Sequence, residues 1–378
     1  MRLKRLRLRN FRNHHDTFIE FADNINVIYG ENGQGKTSIL ESISYLCLTK
    51  SFVTSNDLYV LSIGKDFFEV EGVFESDYGV ESKVCVVYLP SNGGKNIWIN
   101  GESIDKPSSV IGQFPFVVLA PNHKEITLGP PAERRRFVDI IISQSNKVYF
   151  EDLIEFKRIL KQRNKLLLDR RMGSTRVDSK LLESWDEGLV KHSSQIIHRR
   201  KLFVDEFQTY LQDAYKKLVE EPEKPIIEYS PLLELDENCW SISDIEEALR
   251  VELKNKRKDE LRRGTTLVGL HRDDFTFKIN EFDLKKYASQ GQHKTFLIAL
   301  KVANFFYLKE KCNETPIVLL DDVFSELDEN RSQRLMQFVG ELGQPFITST
   351  DTSLFDNTIV FDSNNRKILV HNGSISYG

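Results

Sequence analysis

Gly30-Glu31-Asn32-Gly33-Gln34-Gly35-Lys36-Thr37 follows directly on the apolar run Ile25 to Tyr29 and precedes a segment with apolar residues at Ile39, Leu40, Ile43, Leu46 and Cys47. The run before it has the composition of a buried strand, and the segment after it has the spacing of a helix with a single apolar stripe. A glycine-rich turn of this form between a strand and a helix is a P-loop. Its glycines let backbone N–H groups approach phosphate oxygens with no Cβ in the way, and the helix N-terminus adds positive potential. The pattern assigns Gly30, Glu31, Asn32, Gly33, Gln34, Gly35 and Ser38 to a nucleotide cradle. Lys36 is expected at the β- and γ-phosphates of ATP, and Thr37 on Mg2+.

A second motif supplies the carboxylates such a site needs. Ile317-Val318-Leu319-Leu320-Asp321-Asp322 is a four-residue apolar run ending in paired acids, the form taken when a buried strand delivers carboxylates to a metal at its C-terminal edge. Asp321 is expected to share Mg2+ with Thr37, and Asp322 to position the attacking water. Lys36, Asp321 and Asp322 are therefore the candidate catalytic residues.

Between the two lies Ser289-Gln290-Gly291-Gln292, ahead of a run rich in apolar residues from Phe296 to Leu308. A serine hydroxyl and free backbone N–H groups at a helix start make an anion site. In this order along the chain, the three motifs resemble the ABC-type ATPases, whose signature serine binds the γ-phosphate held by the opposite subunit. The resemblance implies an ATP-dependent homodimer, with Ser289, Gly291 and Gln292 facing nucleotide. Ser325-Glu326-Leu327-Asp328 stands at the distance of the D-loop, and Asp328 joins the same set. Three departures accompany it: Asp322 stands where most of the class has Glu, Ser349-Thr350 replaces a switch histidine, and Ala120-Pro121-Asn122-His123 lacks the Q-loop glutamine. The shorter Asp322 side chain predicts slow hydrolysis, suited to a timer rather than a motor.

The expected fold class is α/β: an ABC-type head with a mixed sheet and an antiparallel meander, carrying an inserted, mainly helical lobe. Alternation in Arg5 to Arg9 and in Phe68 to Glu71, and the turn dipeptide Asn100-Gly101, describe the meander. From about Pro130 the apolar spacing turns helical at Leu153, Phe156, Ile159 and Leu160, and again from Leu181 to Leu218, which predicts a helical hairpin about 30 to 50 Å long. The division expected is 1–120 and 265–378 for the head, with 121–264 as the lobe.

Composition bounds the rest. With 40% hydrophobic and 29% charged residues the chain has material for packed cores, and a net charge of −4 removes any argument from global basicity. Cys47, Cys85, Cys239 and Cys312 form no C-x-x-C pair, which speaks against a zinc site or a disulfide framework and fits a reducing cytoplasm. The opening MRLKRLRLRN is too charged for the apolar core of a signal peptide, and no stretch approaches a membrane helix.

Leu8-Arg9-Asn10-Phe11-Arg12-Asn13, Pro130-Pro131-Ala132-Glu133-Arg134-Arg135-Arg136-Phe137 and Leu270-His271-Arg272-Asp273-Asp274 narrow the class. With these stretches the chain resembles the RecF family over essentially its whole length. The resemblance implies a dimer locked by ATP on double-stranded and gapped DNA, which promotes RecA loading with RecO and RecR in recombinational repair and replication restart. It also implies a weak DNA-dependent ATPase, with Arg12 near the nucleotide. Candidate DNA contacts are Arg158 with Lys161 and Lys165, Arg199-Arg200-Lys201, and Lys254 through Lys258, whereas Arg134 to Arg136 are expected to organise the lobe junction. The alternatives are a defence-associated ATPase related to the SMC heads, which lacks support in any long coiled coil, and a P-loop kinase for a small metabolite, against which Ser289 to Gln292 argue.

Overall fold

The computed structural model describes residues 1–92, 94–173, 179–220, 222–236 and 239–378. By contacts the chain divides into two compact units, Met1–His123 with Lys217–Glu220 and Lys294–Gly378, and Lys124–Lys216 with Glu221–His293.

The first unit begins with β1 (Arg2–Phe11), β2 (His14–Glu20), β3 (Asn26–Tyr29), α1 (Lys36–Leu48), β4 (Phe68–Glu75), β5 (Glu81–Leu89), β6 (Gly94–Ile99), β7 (Glu102–Ser103) and β8 (Phe116–Leu119). Among the described residues, six of these form an antiparallel sheet in the order β2-β1-β4-β5-β6-β7. The alternation in β1 buries Leu6 and Leu8 and turns Arg5 and Arg7 outward. Leu3 also faces inward because the register shifts between Leu3 and Arg5, a bulge that restores the inward set after one extra residue. Asn100 (φ 52) and Gly101 (φ 85) make the tight turn between β6 and β7, both at positive φ as that turn demands.

The second unit holds α2 (Glu125–Leu128), α3 (Pro131–Ser145), α4 (Lys147–Arg171), α5 (Ser179–Leu218, of which Lys217 and Leu218 group with the first unit), β9 (Pro225–Ser230), α6 (Ile242–Arg263), β10 (Asp274–Ile279), β11 (Phe282–Asp283) and α7 (Leu284–Tyr287). The helical runs are present, but α5 has 40 residues, about 60 Å at 1.5 Å per residue, longer than the spacing suggested. The lobe also carries a sheet in the order β11-β10-β9. Because β10 pairs with β9 along its whole length, residues 265–293, expected in the head, group with the lobe, and the boundary falls at 293/294 rather than 264/265.

The chain then continues through α8 (Gln290–Cys312), β12 (Ile317–Leu320), α9 (Glu329–Val339), β13 (Pro345–Ser349), α10 (Ser353–Thr358), β14 (Arg366–His371) and β15 (Ser374–Tyr377). In the first unit's other sheet, ordered β15-β14-β3-β13-β12-β8, neighbours from β14 to β8 run parallel and β15 closes the edge antiparallel. All four residues of β12 are buried, as a central parallel strand requires. Ile39, Leu40, Ile43 and Leu46 of α1 have no exposed surface and share one core with Phe68 and Val70 of the meander and Leu319 and Phe346 of the parallel sheet. That packing fixes the helix whose N-terminus opens the P-loop. No described helix is long and apolar enough to cross a membrane.

Candidate nucleotide-binding site

β3 ends at Tyr29, the loop runs from Gly30 to Gly35, and α1 starts at Lys36. Gly30 (φ 147), Gly33 (φ 79) and Gly35 (φ 109) lie where a side chain is strained. Space adds to this at two of them: a Cβ on Gly30 would stand 2.4 Å from the carbonyl oxygen of Val370, and one on Gly35 would stand 2.6 Å from Asn13 Oδ1. The Lys36 ammonium is buried in the loop and donates to the carbonyl oxygens of Gly30 (2.7 Å) and Glu31 (2.8 Å). Burial lowers its pKa, opposed by the charges of Asp322 and Asp321. Ser38 Oγ lies 3.5 Å from Asn13 Oδ1, and Asn32 is exposed at the loop surface.

The carboxylates meet this loop as the spacing of motifs requires. Thr37 Oγ1 donates to Asp321 Oδ1 at 2.8 Å, across 284 residues of sequence. Thr348 Oγ1 donates to the same oxygen at 2.8 Å and accepts from the Asp322 backbone N–H at 2.8 Å. Burial raises the Asp321 pKa, and the hydrogen bonds from Thr37 and Thr348 pull it back. Asp322 leaves the strand with φ 47, a left-handed conformation that Asp tolerates better than most residues. A hydroxyl and a carboxylate oxygen in contact are the hard oxygen pair that Mg2+ takes in a phosphate site, so Thr37 and Asp321 fit such an ion.

Nothing local to Thr348 in the sequence marks a functional residue, and no motif places Asn13 or His14 at the loop. Asn13 Nδ2 donates to the Gly33 carbonyl oxygen at 3.4 Å, and His14 Nε2 lies 3.1 Å from that of Gly35. Arg12, expected at the nucleotide, has its guanidinium bidentate on Glu41 of α1 (2.8 and 2.9 Å) and on the Tyr59 carbonyl oxygen (2.7 Å). Its partner Glu41 stands one helical turn beyond Thr37 on α1.

The signature residues belong to the second unit. Ser289 is exposed and caps α8: its Oγ accepts from the Gln292 N–H (3.2 Å), and Gln292 Oε1 accepts from the Ser289 N–H (2.9 Å), a reciprocal capping box. Gln292 Nε2 also donates to Glu223 (2.8 Å). Gly291 follows within the first turn of the helix. Asp328 caps α9, accepting from the Arg331 N–H at 2.9 Å, and its carboxylate pairs with the Arg331 guanidinium. Thr350 is exposed beyond β13, and His123 Nδ1 accepts from the Ala120 N–H (3.2 Å) in place of a Q-loop glutamine.

The basic clusters separate into two kinds. Arg134 is bidentate on Asp274 (2.9 Å both), Arg135 donates to the Asp273 carbonyl oxygen, and Arg200 is fully buried against Asp139 and Asp273. These are internal braces of the lobe. Lys161, Lys165, Lys254 and Lys258 are exposed.

A parallel sheet with a P-loop at the end of β3, a paired carboxylate at the end of β12 and a meander sharing the core of α1 defines an ABC-type ATPase head. The chain matches the family model of the RecF/RecN/SMC N-terminal domain over residues 2–375. It is 45% identical over 357 residues to the DNA replication and repair protein RecF of Chloroherpeton thalassium, covering 94% of this chain and 96% of that one. It is 39% identical to the RecF protein of Salinibacter ruber, covering 94% and 86%. A solved structure of the recombination mediator protein RecF with ATP, described in the RecFOR pathway, superposes with a TM-score of 0.90 at 32% identity over 99% of this chain and 97% of that one. An SMC head bound to the C-winged helix domain of ScpA shares the fold at a TM-score of 0.56 and 13% identity, covering 100% and 97%. The chain belongs to the RecF family.

Proposed function

We propose that the protein is an ATP-driven clamp of DNA repair and replication: two copies close on ATP, and the closed dimer holds gapped or junction DNA. One copy contributes Gly30 to Ser38 as the phosphate cradle, Lys36 at the β- and γ-phosphates, and Thr37 with Asp321 as holders of Mg2+. When bound by Thr37 and Asp321, Mg2+ would supply charge neutralisation at the phosphate oxygens. Asp322 orients water, Thr348 holds both acids in register, and Arg12 supports the cradle from the side. The other copy contributes Ser289, Gly291 and Gln292, with Asp328 at the dimer contact. Hydrolysis is slow, because Asp322 reaches one bond less far than Glu, and it serves to reopen the clamp; its dependence on DNA is proposed from the kinship with RecF proteins.

The observation that carries this reading is the exposed, capped helix start at Ser289, which sets a hydroxyl at the positive N-terminal end of α8, where a phosphate of a second copy would be favoured. Work in the cytoplasm with RecO and RecR, delivering RecA to gaps, follows from the kinship with RecF proteins. Sizing an Asp322→Asn variant with and without ATP tests the clamp: doubling of mass with ATP supports it, and a monomer under both conditions removes it. Binding to gapped against uniform duplex in the presence of ATP tests the DNA assignment separately.

A further inference from the structure

The P-loop is held from behind by two turns that no nucleotide motif includes. One is Arg12-Asn13 between β1 and β2, with His14 opening β2; the other is Asn372-Gly373 between β14 and β15. Gln34 Oε1 accepts from the Asn372 N–H (2.6 Å), and the Gln34 carbonyl oxygen accepts from the Gly373 N–H (3.1 Å). Contact between the turns is close enough that a Cβ on Gly373 would stand 2.2 Å from the Asn13 carbonyl oxygen. His14 fills the space between them with no exposed surface. Its Nε2 lies 3.1 Å from the Gly35 carbonyl oxygen, and its Nδ1 lies 3.0 Å from both Thr17 Oγ1 and the Gly373 carbonyl oxygen.

We propose that His14 is a positioning residue for the P-loop, donating from Nε2 to the Gly35 carbonyl and so aiming the Lys36 backbone N–H at the bound phosphate. The proposed tautomer carries its proton on Nε2. Thr17 Oγ1 already donates to the Gly373 carbonyl oxygen at 2.7 Å, so a neutral ring serves the remaining acceptor by carrying its proton on Nε2. Burial favours the neutral ring. The Gly35 carbonyl needs this donor because its other partner, the Ile39 N–H, stands at a long 3.3 Å. Gly35 C=O and Lys36 N–H belong to one planar peptide and point in opposite directions. Fixing the carbonyl toward His14 therefore fixes the N–H toward the phosphate side, and with φ 109 at Gly35 the loop has no stiffness of its own to do so.

This inference rests on the P-loop binding ATP, which wild-type protein tests alone by titration with a fluorescent ATP analogue. Given that binding, three His14 variants separate positioning from packing, with melting temperature recorded beside the equilibrium affinity. His14→Ala is expected to weaken nucleotide binding roughly tenfold, the effect of one lost hydrogen bond that orients the loop peptide. His14→Gln places an amide nitrogen where Nε2 stood and is expected to recover affinity to within about threefold of wild type. His14→Asn places its amide near Nδ1 and is expected to stay as weak as Ala. A fourth variant, Gly373→Ala, pushes the second turn off Asn13 and is expected to weaken binding with His14 intact. Equal affinity for His14→Gln and His14→Asn, or losses that follow melting temperature across the four variants, would overturn the proposal. Absence of binding by wild-type protein would strike the nucleotide assignment instead.

Discussion

At Asp321, one carboxylate oxygen receives two hydroxyl donors, from Thr37 and Thr348, while Thr348 also accepts the Asp322 N–H. Thr348 is buried, so Thr348→Val keeps the shape and removes both bonds. The change is expected to cost about 1–3 kcal/mol, the penalty for leaving buried polar groups unmatched, with a parallel loss of Mg2+-dependent nucleotide affinity. Denaturant titration and binding in the same buffer measure the two. Lys301 on α8 makes a second residue-scale case. It is buried among Val117, Leu119, Phe305, Val318 and Leu335, and burial pushes its pKa from 10.5 down to about 7. Between those values the unfolded chain binds more protons than the folded one, so stability rises with pH from about 7 toward 10.5. Lys301→Met is expected to raise the denaturant midpoint at pH 7 and to lose that advantage by pH 10. A constant gain at all pH values would show that the lysine does not titrate in this range.

At the scale of elements, the fully buried Arg163 joins three helices of the lobe. It lies on α4 and pairs with Asp186 of α5 (2.9 Å) and with Glu260 of α6 (2.6 Å), and it donates to Thr266 Oγ1 (2.8 Å). Arg163→Met leaves Glu260 buried without its partner and is expected to destabilise by about 3–5 kcal/mol, whereas adding Glu260→Gln should return part of the loss. Chemical denaturation of the single and double variants decides it. The same residue shows what a sequence conceals. Arg163 sits in a helix rich in Arg and Lys, and its neighbours Arg158 and Lys165 reach the surface, so no local pattern separates a brace from a solvated charge. The P-loop, β12 and α1 were legible because their function lives in contiguous residues whose spacing is itself the signal. His14 and Thr348 were not, since each acts through a partner 21 or more residues away. The sheet of the lobe was missed for a related reason: β9 and β10 are short and separated by α6, so period two had little length in which to declare itself.

For the whole molecule, a net charge of −4 means that the proposed DNA binding must come from a local surface. The structure removes Arg200 from the candidates for that surface, since it is buried and already paired with carboxylates, as are Arg134 and Arg163. It leaves the exposed lysines of α4 and α6, whose helices are joined at their C-terminal halves by Arg163 with Glu260 and by Arg171 donating to the Arg263 carbonyl oxygen (3.1 Å). Phosphate contacts made by such side chains release counterions, so affinity should fall steeply with salt and discriminate little among base sequences. Replacing Lys161, Lys165, Lys254 and Lys258 together by Gln is therefore expected to weaken DNA binding and to flatten the slope of log K against log salt by about one unit per lost contact. ATP binding and melting temperature should stay near wild type, because none of the four is buried. Arg134→Gln should do the reverse, lowering stability while leaving the salt slope of whatever protein remains folded unchanged. An unaltered slope in the four-lysine variant would move the DNA surface away from the lobe helices and onto the head.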